Sequence, residues 1–278
     1  MRQFAVFIFL SFLLSSCATS LSRLSDEVDQ VAIQRGFQKE LVTTDPFVLT
    51  TYSRLTKTGE PIHVYIEGDG YAWVTPSRVS GNPTPRHPMM LSLAMEDTSA
   101  NVVYLARPCQ YTPEELNAKF DSFYWTQGRF SEPVVKSMDE AVSHFVRKAQ
   151  AKDVDLIGYS GGAAVAVLVA ARREDVKSLR TIAGNLDPQA VNKYHGVSSL
   201  EGSLNPLDYA DKIKGIPMRH FIGTKDKVIP SYVALSFADR IGDLFHQSVS
   251  IVNGATHSHG WSDHWRELLS LQPHHEGG

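Results

Sequence analysis

Short apolar runs alternate along this chain with longer segments whose apolar residues recur every three or four positions. Ile62 to Ile66, Asn101 to Ala106, Val154 to Ile157, Leu179 to Ala183, Met218 to Ile222 and Val249 to Val252 are rich in β-branched and apolar residues, which predicts strands. Phe37 to Thr43 and Phe47 to Arg54 read as two opening strands, with Asp45-Pro46 as the turn between them. Pro88 to Glu96 has helical character. Ser131-Glu132-Pro133 opens a longer helix running to about Ala151, with Val134, Val135, Met138, Ala141, Val142, Phe145 and Val146 on one face. Ala163 to Ala171 is too long and too Ala-rich for a strand, and a last helix is expected from about Trp261 to Leu271. Apolar strands alternating with helices predict the α/β class, with a mostly parallel sheet covered by helices on both faces.

Three segments fall outside this rhythm. Thr75 to Pro88 carries four prolines and is expected to be a loop. Tyr111 to Phe130 is rich in aromatics without a clear period, and those rings either rim a pocket or pack beneath it. Asp187 to Gly215 inserts about 30 residues between two strands, room for a small cap and no more.

The N-terminus follows a different pattern. Arg2 precedes an apolar run from Phe4 to Leu14, the length of a secretory signal core and too short to span a bilayer. Leu14-Ser15-Ser16-Cys17 resembles the lipobox of bacterial lipoproteins. That likeness implies a signal peptide over residues 1–16, lipidation of Cys17 with palmitate-type acyl chains, and a tether over 17–36 with a short helix from Asp26 to Gln34. The body would then occupy residues 37–278. Several acyl chains would hold such a protein firmly at a membrane. Ala18 after the cysteine resembles the outer-membrane sorting pattern, which implies a site in the cell envelope facing the periplasm. The alternative is a soluble secreted protein with a coincidental cysteine.

Composition narrows the partners. The formal net charge is −3 and no basic run occurs, so nothing electrostatic recommends nucleic acid. The chain holds two cysteines. If Cys17 carries lipid, Cys109 has no partner for an intramolecular disulfide, and a buried structural thiol is expected there. No Cys or His pair has metal-ligand spacing backed by further ligands, and no cofactor or metal is expected.

The candidate chemistry centres on Gly158-Tyr159-Ser160-Gly161-Gly162, a Gly-x-Ser-x-Gly between a predicted strand and a predicted helix. That context is the setting of a nucleophile elbow, in which the serine hydroxyl stands exposed on a strained turn. A serine needs a base, and the base an orienting acid. Asp226 falls on the loop after the strand Met218 to Ile222, and His257 on the loop after Val249 to Val252, so both lie on the edge where sites in open α/β sheets form. Asp187 in Asn185-Leu186-Asp187-Pro188 is a rival acid, and His259 and His264 are rival bases.

The order Ser160, Asp226, His257 makes the segment from about Phe37 onward resemble the α/β-hydrolases. Gly223 to Pro230 fits that family's Gly-x-x-Asp-x-x-x-Pro acid loop, and Gly254 to His257 its terminal Gly-x-x-His. The family's oxyanion loop usually reads His-Gly-x-x, whereas this chain has Glu67-Gly68-Asp69-Gly70, with Glu67 in place of the histidine. The resemblance implies the α/β-hydrolase fold with a small cap. It also implies an oxyanion hole formed by the Gly161 N–H and one from Asp69 or Gly70, and hydrolysis of a small-molecule carboxylic ester through an acyl-enzyme. Peptidase, amidase and thioesterase activities use the same parts. A non-catalytic envelope lipoprotein that binds with this fold is the alternative from another class.

Overall fold

The computed structural model describes residues 23–274; the expected signal peptide and Cys17 lie outside the described residues. Residues 23–34 form helix α1. The chain continues through β1 (Gln38–Thr43), β2 (Val48–Leu55), β3 (Ile62–Ile66), β4 (Trp73–Thr75) and β5 (Arg78–Val79) to α2 (Met89–Glu96) and β6 (Asn101–Leu105). Next come α3 (Glu132–Ala149), β7 (Val154–Tyr159), α4 (Gly161–Ala170), β8 (Val176–Ile182) and α5 (Pro188–His195). The last elements are β9 (Met218–Gly223), α6 (Ser231–Ile241), β10 (Val249–Val252) and α7 (Trp265–Ser270).

Eight strands form one sheet in the order β1-β2-β6-β3-β7-β8-β9-β10. The β1–β2 and β2–β6 pairs are antiparallel, and every pair from β6 to β10 is parallel. This is the α/β-hydrolase architecture that the motif order implied. The inner strands, β6 among them, are buried on both faces, so alternate residues serve different cores. On β6, Val103 and Leu105 pack with Phe130, Val134, Met138 and Phe145 under α3 and α4, while Val102 and Tyr104 pack with Met90, Leu93 and Trp265 under α2 and α7. Two-sided burial is why these strands read as continuous apolar runs. Helix α4 has all ten residues buried, which explains its apolar character all the way round.

Three expectations are corrected. The body does not begin at residue 37. Val28 and Ala32 of α1 are buried in the second core, Asp29 accepts from the Tyr52 hydroxyl, and Lys39 Nζ lies 2.8 Å from Asp29 Oδ2. Helix α1 is therefore part of the packed domain; the i, i+4 spacing of Val28 and Ala32 gives it a buried face. The loop expected from Thr75 to Pro88 includes the short β4–β5 hairpin at its start. The last helix divides: Ser262–His264 is a 3₁₀ turn and the α-helix starts only at Trp265.

The cap over 187–215 consists of α5 and a 3₁₀ turn, Pro206–Lys212. The aromatic segment packs inward: Trp125 is buried, donates through Nε1 to the Ser80 carbonyl at 3.1 Å, and meets Phe120 edge-on. Cys109 lies in the same small cluster with Ala72 and Trp125, and burial pushes its thiol up to about 12.

The parallel centre of the sheet depends on one close approach. A Cβ on Gly162 would lie 2.4 Å from the carbonyl oxygens of Ile66 and Glu67, at the end of β3. Backbone cannot move aside as a flexible side chain can. Gly162→Ala is therefore expected to lower stability by roughly 1–3 kcal/mol, read as a shift in the urea midpoint. An unshifted midpoint would show that the contact is slack.

Candidate active site

Strand β7 ends in a sharp turn into α4, and Ser160 sits on it with φ 51° and ψ −120°. A non-glycine residue at positive φ is held there only if its surroundings over-determine it. Here they do. The Ser160 N–H donates to the Ile182 carbonyl at 3.0 Å, and the Ser160 carbonyl accepts from Ala163 N and Asn185 N at 3.1 and 3.0 Å. Gly158 leaves room for the returning helix, since a Cβ there would lie 2.5 Å from the Gly162 carbonyl oxygen.

The structure brings Ser160, His257 and Asp226 together. Ser160 Oγ is 3.0 Å from His257 Nε2, and His257 Nδ1 is 2.9 Å from Asp226 Oδ2. A carboxylate can only accept, so Nδ1 carries the proton and Nε2 is left to accept from the serine hydroxyl. The Asp226 side chain is only 2% exposed. Burial works to raise its pKa, but the bond from His257 and the N–H groups of Ile229 and Val228 outweigh that and hold the carboxyl below its usual range. Those two N–H groups bind Oδ1 at 3.0 and 2.7 Å, which leaves Oδ2 aimed at the imidazole. The His257 carbonyl accepts from Trp261 Nε1 at 3.0 Å, fixing the loop.

The rivals are occupied elsewhere. Asp187 caps α5, its Oδ1 accepting from Gln189 N and Ala190 N at 3.1 and 3.2 Å. His259 is exposed and bonds its neighbour Ser258, and His264 is exposed before α7.

The loop after β3 lies against this turn. A Cβ on Gly68 would lie 2.9 Å from the Tyr159 ring, and one on Gly161 would lie 1.9 Å from Asp69 Oδ1. Gly70 has φ 66°, and the Pro83 carbonyl would be 2.1 Å from a Cβ there. Glu67 is buried and turned inward: Oε1 accepts from Gly68 N at 2.9 Å, and Oε2 accepts from Met90 N and the Tyr104 hydroxyl, both at 3.2 Å. Thus Gly68 N–H is already taken, whereas the N–H groups of Asp69 and Gly70 have no partner among the described residues. Gln110 Nε2, on the turn after β6, donates to the Gly68 carbonyl at 3.0 Å and steadies the loop.

Sequence reasoning missed two residues that shape this site, Arg107 and Arg129. Arg107 Nη1 lies 3.4 Å from Asp69 Oδ1, and Arg129 Nε 3.3 Å from Asp69 Oδ2. Arg107 carried a usable signal, since it directly follows Ala106 at the C-terminal end of a strand next to β3. Arg129, within the aromatic segment, carried none.

Burial, opposed by three hydrogen bonds and Arg107, pushes the Glu67 carboxyl up from 4.5 to about 7. The folded state thus binds this proton more tightly than the unfolded chain. The Glu67 contribution to stability is fully present below pH 4.5 and is lost as the pH rises through 7. At about 1.4 kcal/mol per unit, the loss is on the order of 3 kcal/mol. Urea unfolding of wild type and Glu67→Gln from pH 4.5 to 8 should show wild type losing that much relative to the variant. Parallel stability curves would mean that Glu67 does not titrate in this range.

Known proteins of similar shape are α/β hydrolases. The chain is similar to an α/β serine hydrolase homologue from Coxiella burnetii, at 16% identity and TM-score 0.52 over 83% of this chain and 93% of that one. It is also similar to Est1E from Butyrivibrio proteoclasticus, at 14% identity and TM-score 0.56 over 83% and 97% of the two chains. A third likeness is the Pyrococcus horikoshii acylaminoacyl peptidase, at 15% identity and TM-score 0.61 over 87% of this chain and 43% of that one. No curated protein matches the chain in sequence. The family Serine hydrolase (FSH1) matches residues 90–257, more than half of the chain and a span that includes Ser160, Asp226 and His257, and the chain belongs to that family.

Proposed function

We propose that this serine hydrolase cleaves carboxylic esters through Ser160, His257 and Asp226. The observation that carries the reading is the continuous relay from Asp226 Oδ2 through both ring nitrogens of His257 to Ser160 Oγ, with links of 2.9 and 3.0 Å. His257 takes the serine proton as Oγ attacks the ester carbonyl, and the new C–O bond leaves a tetrahedral oxyanion. The Gly161 N–H and one from Asp69 or Gly70 hold that charge; each such donor is typically worth about 3–4 kcal/mol in the transition state. His257 then gives its proton to the leaving alcohol, activates water, and water releases the acid from the acyl-enzyme. Asp226 keeps the imidazole in the required tautomer and stabilises its transient charge.

Ser160→Ala should abolish hydrolysis of a p-nitrophenyl ester without lowering the thermal midpoint. His257→Ala and Asp226→Asn should lower kcat by orders of magnitude, about 10⁴-fold where a triad acid is replaced by its amide. Asp187→Asn and His259→Ala should cost far less. Equal turnover by wild type and Ser160→Ala would refute Ser160 as the nucleophile, and no turnover by either would leave the fold as a binding scaffold. A larger loss at Asp187 or His259 than at Asp226 or His257 would move the acid or the base.

We further propose that Cys17 is lipidated and holds the enzyme at the cell envelope, on the periplasmic face of the outer membrane. The support is the apolar run from Phe4 to Leu14 before Leu14-Ser15-Ser16-Cys17. Among the described residues no helix is long and apolar enough to cross a membrane. Mass spectrometry of the mature N-terminus should find an acylated Cys17, and Cys17→Ser should lose lipid labelling and membrane fractionation. An unacylated terminus at another residue would refute the anchor and leave the hydrolase assignment unaffected.

A further inference from the structure

Asp69 is an awkward residue to find beside an oxyanion hole. Its Oδ1 occupies space that a side chain on Gly161 would need, 1.9 Å from the Cβ position. Gly161 follows the serine, so a lone carboxylate here would repel the negative charge that develops on the substrate oxygen. The site answers with two cations. Arg107 and Arg129 flank the same carboxylate, one at each oxygen, at 3.4 and 3.3 Å. Their side chains are only 5% and 14% exposed, and both guanidinium groups lie within 6 Å of the Phe130 ring, at 5.6 and 5.3 Å from its centre.

Two guanidinium groups against one carboxylate leave a surplus positive charge at the rim of the serine site. Glu67, the other acid of this loop, is turned onto Gly68 N, Met90 N and the Tyr104 hydroxyl and bonds neither arginine. The arginines are also short of hydrogen-bond partners. Arg107 spends Nη2 on the Arg129 carbonyl and Nη1 on Asp69, while its Nε is buried without a partner. Arg129 Nε, close to Asp69 Oδ2, is not aligned for a hydrogen bond, and no other nitrogen of that guanidinium has an acceptor among the described residues. A nearly buried guanidinium with donors unused is costly unless an anion completes it. If two arginines served only to hold the loop in place, one aligned pair with Asp69 would suffice.

Resting on the hydrolase reading above, we propose that Arg129, backed by Arg107, is an anion-recognition site that selects esters whose acyl chain ends in a carboxylate a short aliphatic spacer from the scissile carbonyl. Asp69 is the resident counter-ion. It keeps the guanidinium pair in place in the free enzyme and shares it with the substrate carboxylate on binding. The preferred substrates are then half-esters of short dicarboxylic acids, and the arginines are specificity-determining residues.

The test compares monomethyl glutarate with methyl valerate, which differ in having a carboxylate or a methyl group at the end of the same chain. Acid release is followed in a pH-stat. Wild type should favour the half-ester by at least about tenfold in kcat/KM, a small part of the roughly 10⁴–10⁵-fold by which a fully enclosed site built for a polar group rejects its apolar analogue. Arg129→Gln should bring the ratio of the two kcat/KM values down about tenfold, and Arg129→Lys, a point charge without the fork, should fall between. The ratio is immune to a general loss of activity in either variant. If Arg129→Gln does not fold, the wild-type ratio decides alone, and its decline with added salt supplies the second reading. Equal or better hydrolysis of methyl valerate by wild type would overturn the proposal, as would a ratio unchanged in folded Arg129→Gln. Hydrolysis of neither ester, by a protein that also takes no fluorophosphonate, would overturn the underlying hydrolase reading instead.

Discussion

A serine on a sheet edge meets an imidazole from another loop only if its own backbone is forced out of the way. In this protein that force is the collision-free but very close approach of α4 to β7 and β3. Gly158 and Gly162 make the approach possible, and backbone bonds to Ile182, Ala163 and Asn185 hold Ser160 at φ 51°. Neither alone would suffice. The glycines create the space, and the neighbouring strand β8 removes the alternatives to the strained conformation. With Ser160 fixed, loops after β9 and β10 need supply only one side chain each, and parallel strands deliver both to the same edge.

Three carboxyl groups surround this edge, and their environments give each a different task. Asp226 receives two backbone N–H groups and the imidazole, and these hold it ionised against the effect of burial. Glu67 is fully buried, and two peptide N–H groups, a phenol and the Arg107 charge offset only part of that, so its pKa shifts upward to about 7 while it pins the loop after β3. Asp69 is ionically paired to two arginines. Three acids can share this edge because one points to the histidine, one lies near neutrality and one is outweighed by cations. Arg107 and Arg129 therefore offset the acids that the sequence makes conspicuous beside Ser160.

What could be read from the sequence is what depends on neighbours along the chain. Strand–turn–helix around Ser160 is local, and so are the positions of Asp226 and His257 just past their strands; the order Ser, Asp, His then suffices to infer their meeting. Beta-strand limits such as Ile62–Ile66 follow from apolar runs that need no tertiary information. Other features depend on partners far away in sequence. The docking of α1 through Asp29 and Tyr52 depends on a contact across 23 residues, and the Arg107–Asp69 pair on one across 38. Pattern along the chain names no side-chain partner for Asp29 or Asp69. The last helix starts later than its composition suggests for a different reason: Ser262 to His264 carries the composition of a helix start, but only a 3₁₀ turn forms before Trp265 enters the core.

Covalent capture reads whether Ser160 is a nucleophile made reactive by His257 and Asp226. The protein should be incubated with a fluorophosphonate, and its intact mass and proteolytic peptides then measured. One adduct per chain is expected, located on Ser160 and forming far more slowly in Asp226→Asn. An adduct on another serine, or none on a folded protein, would contradict it.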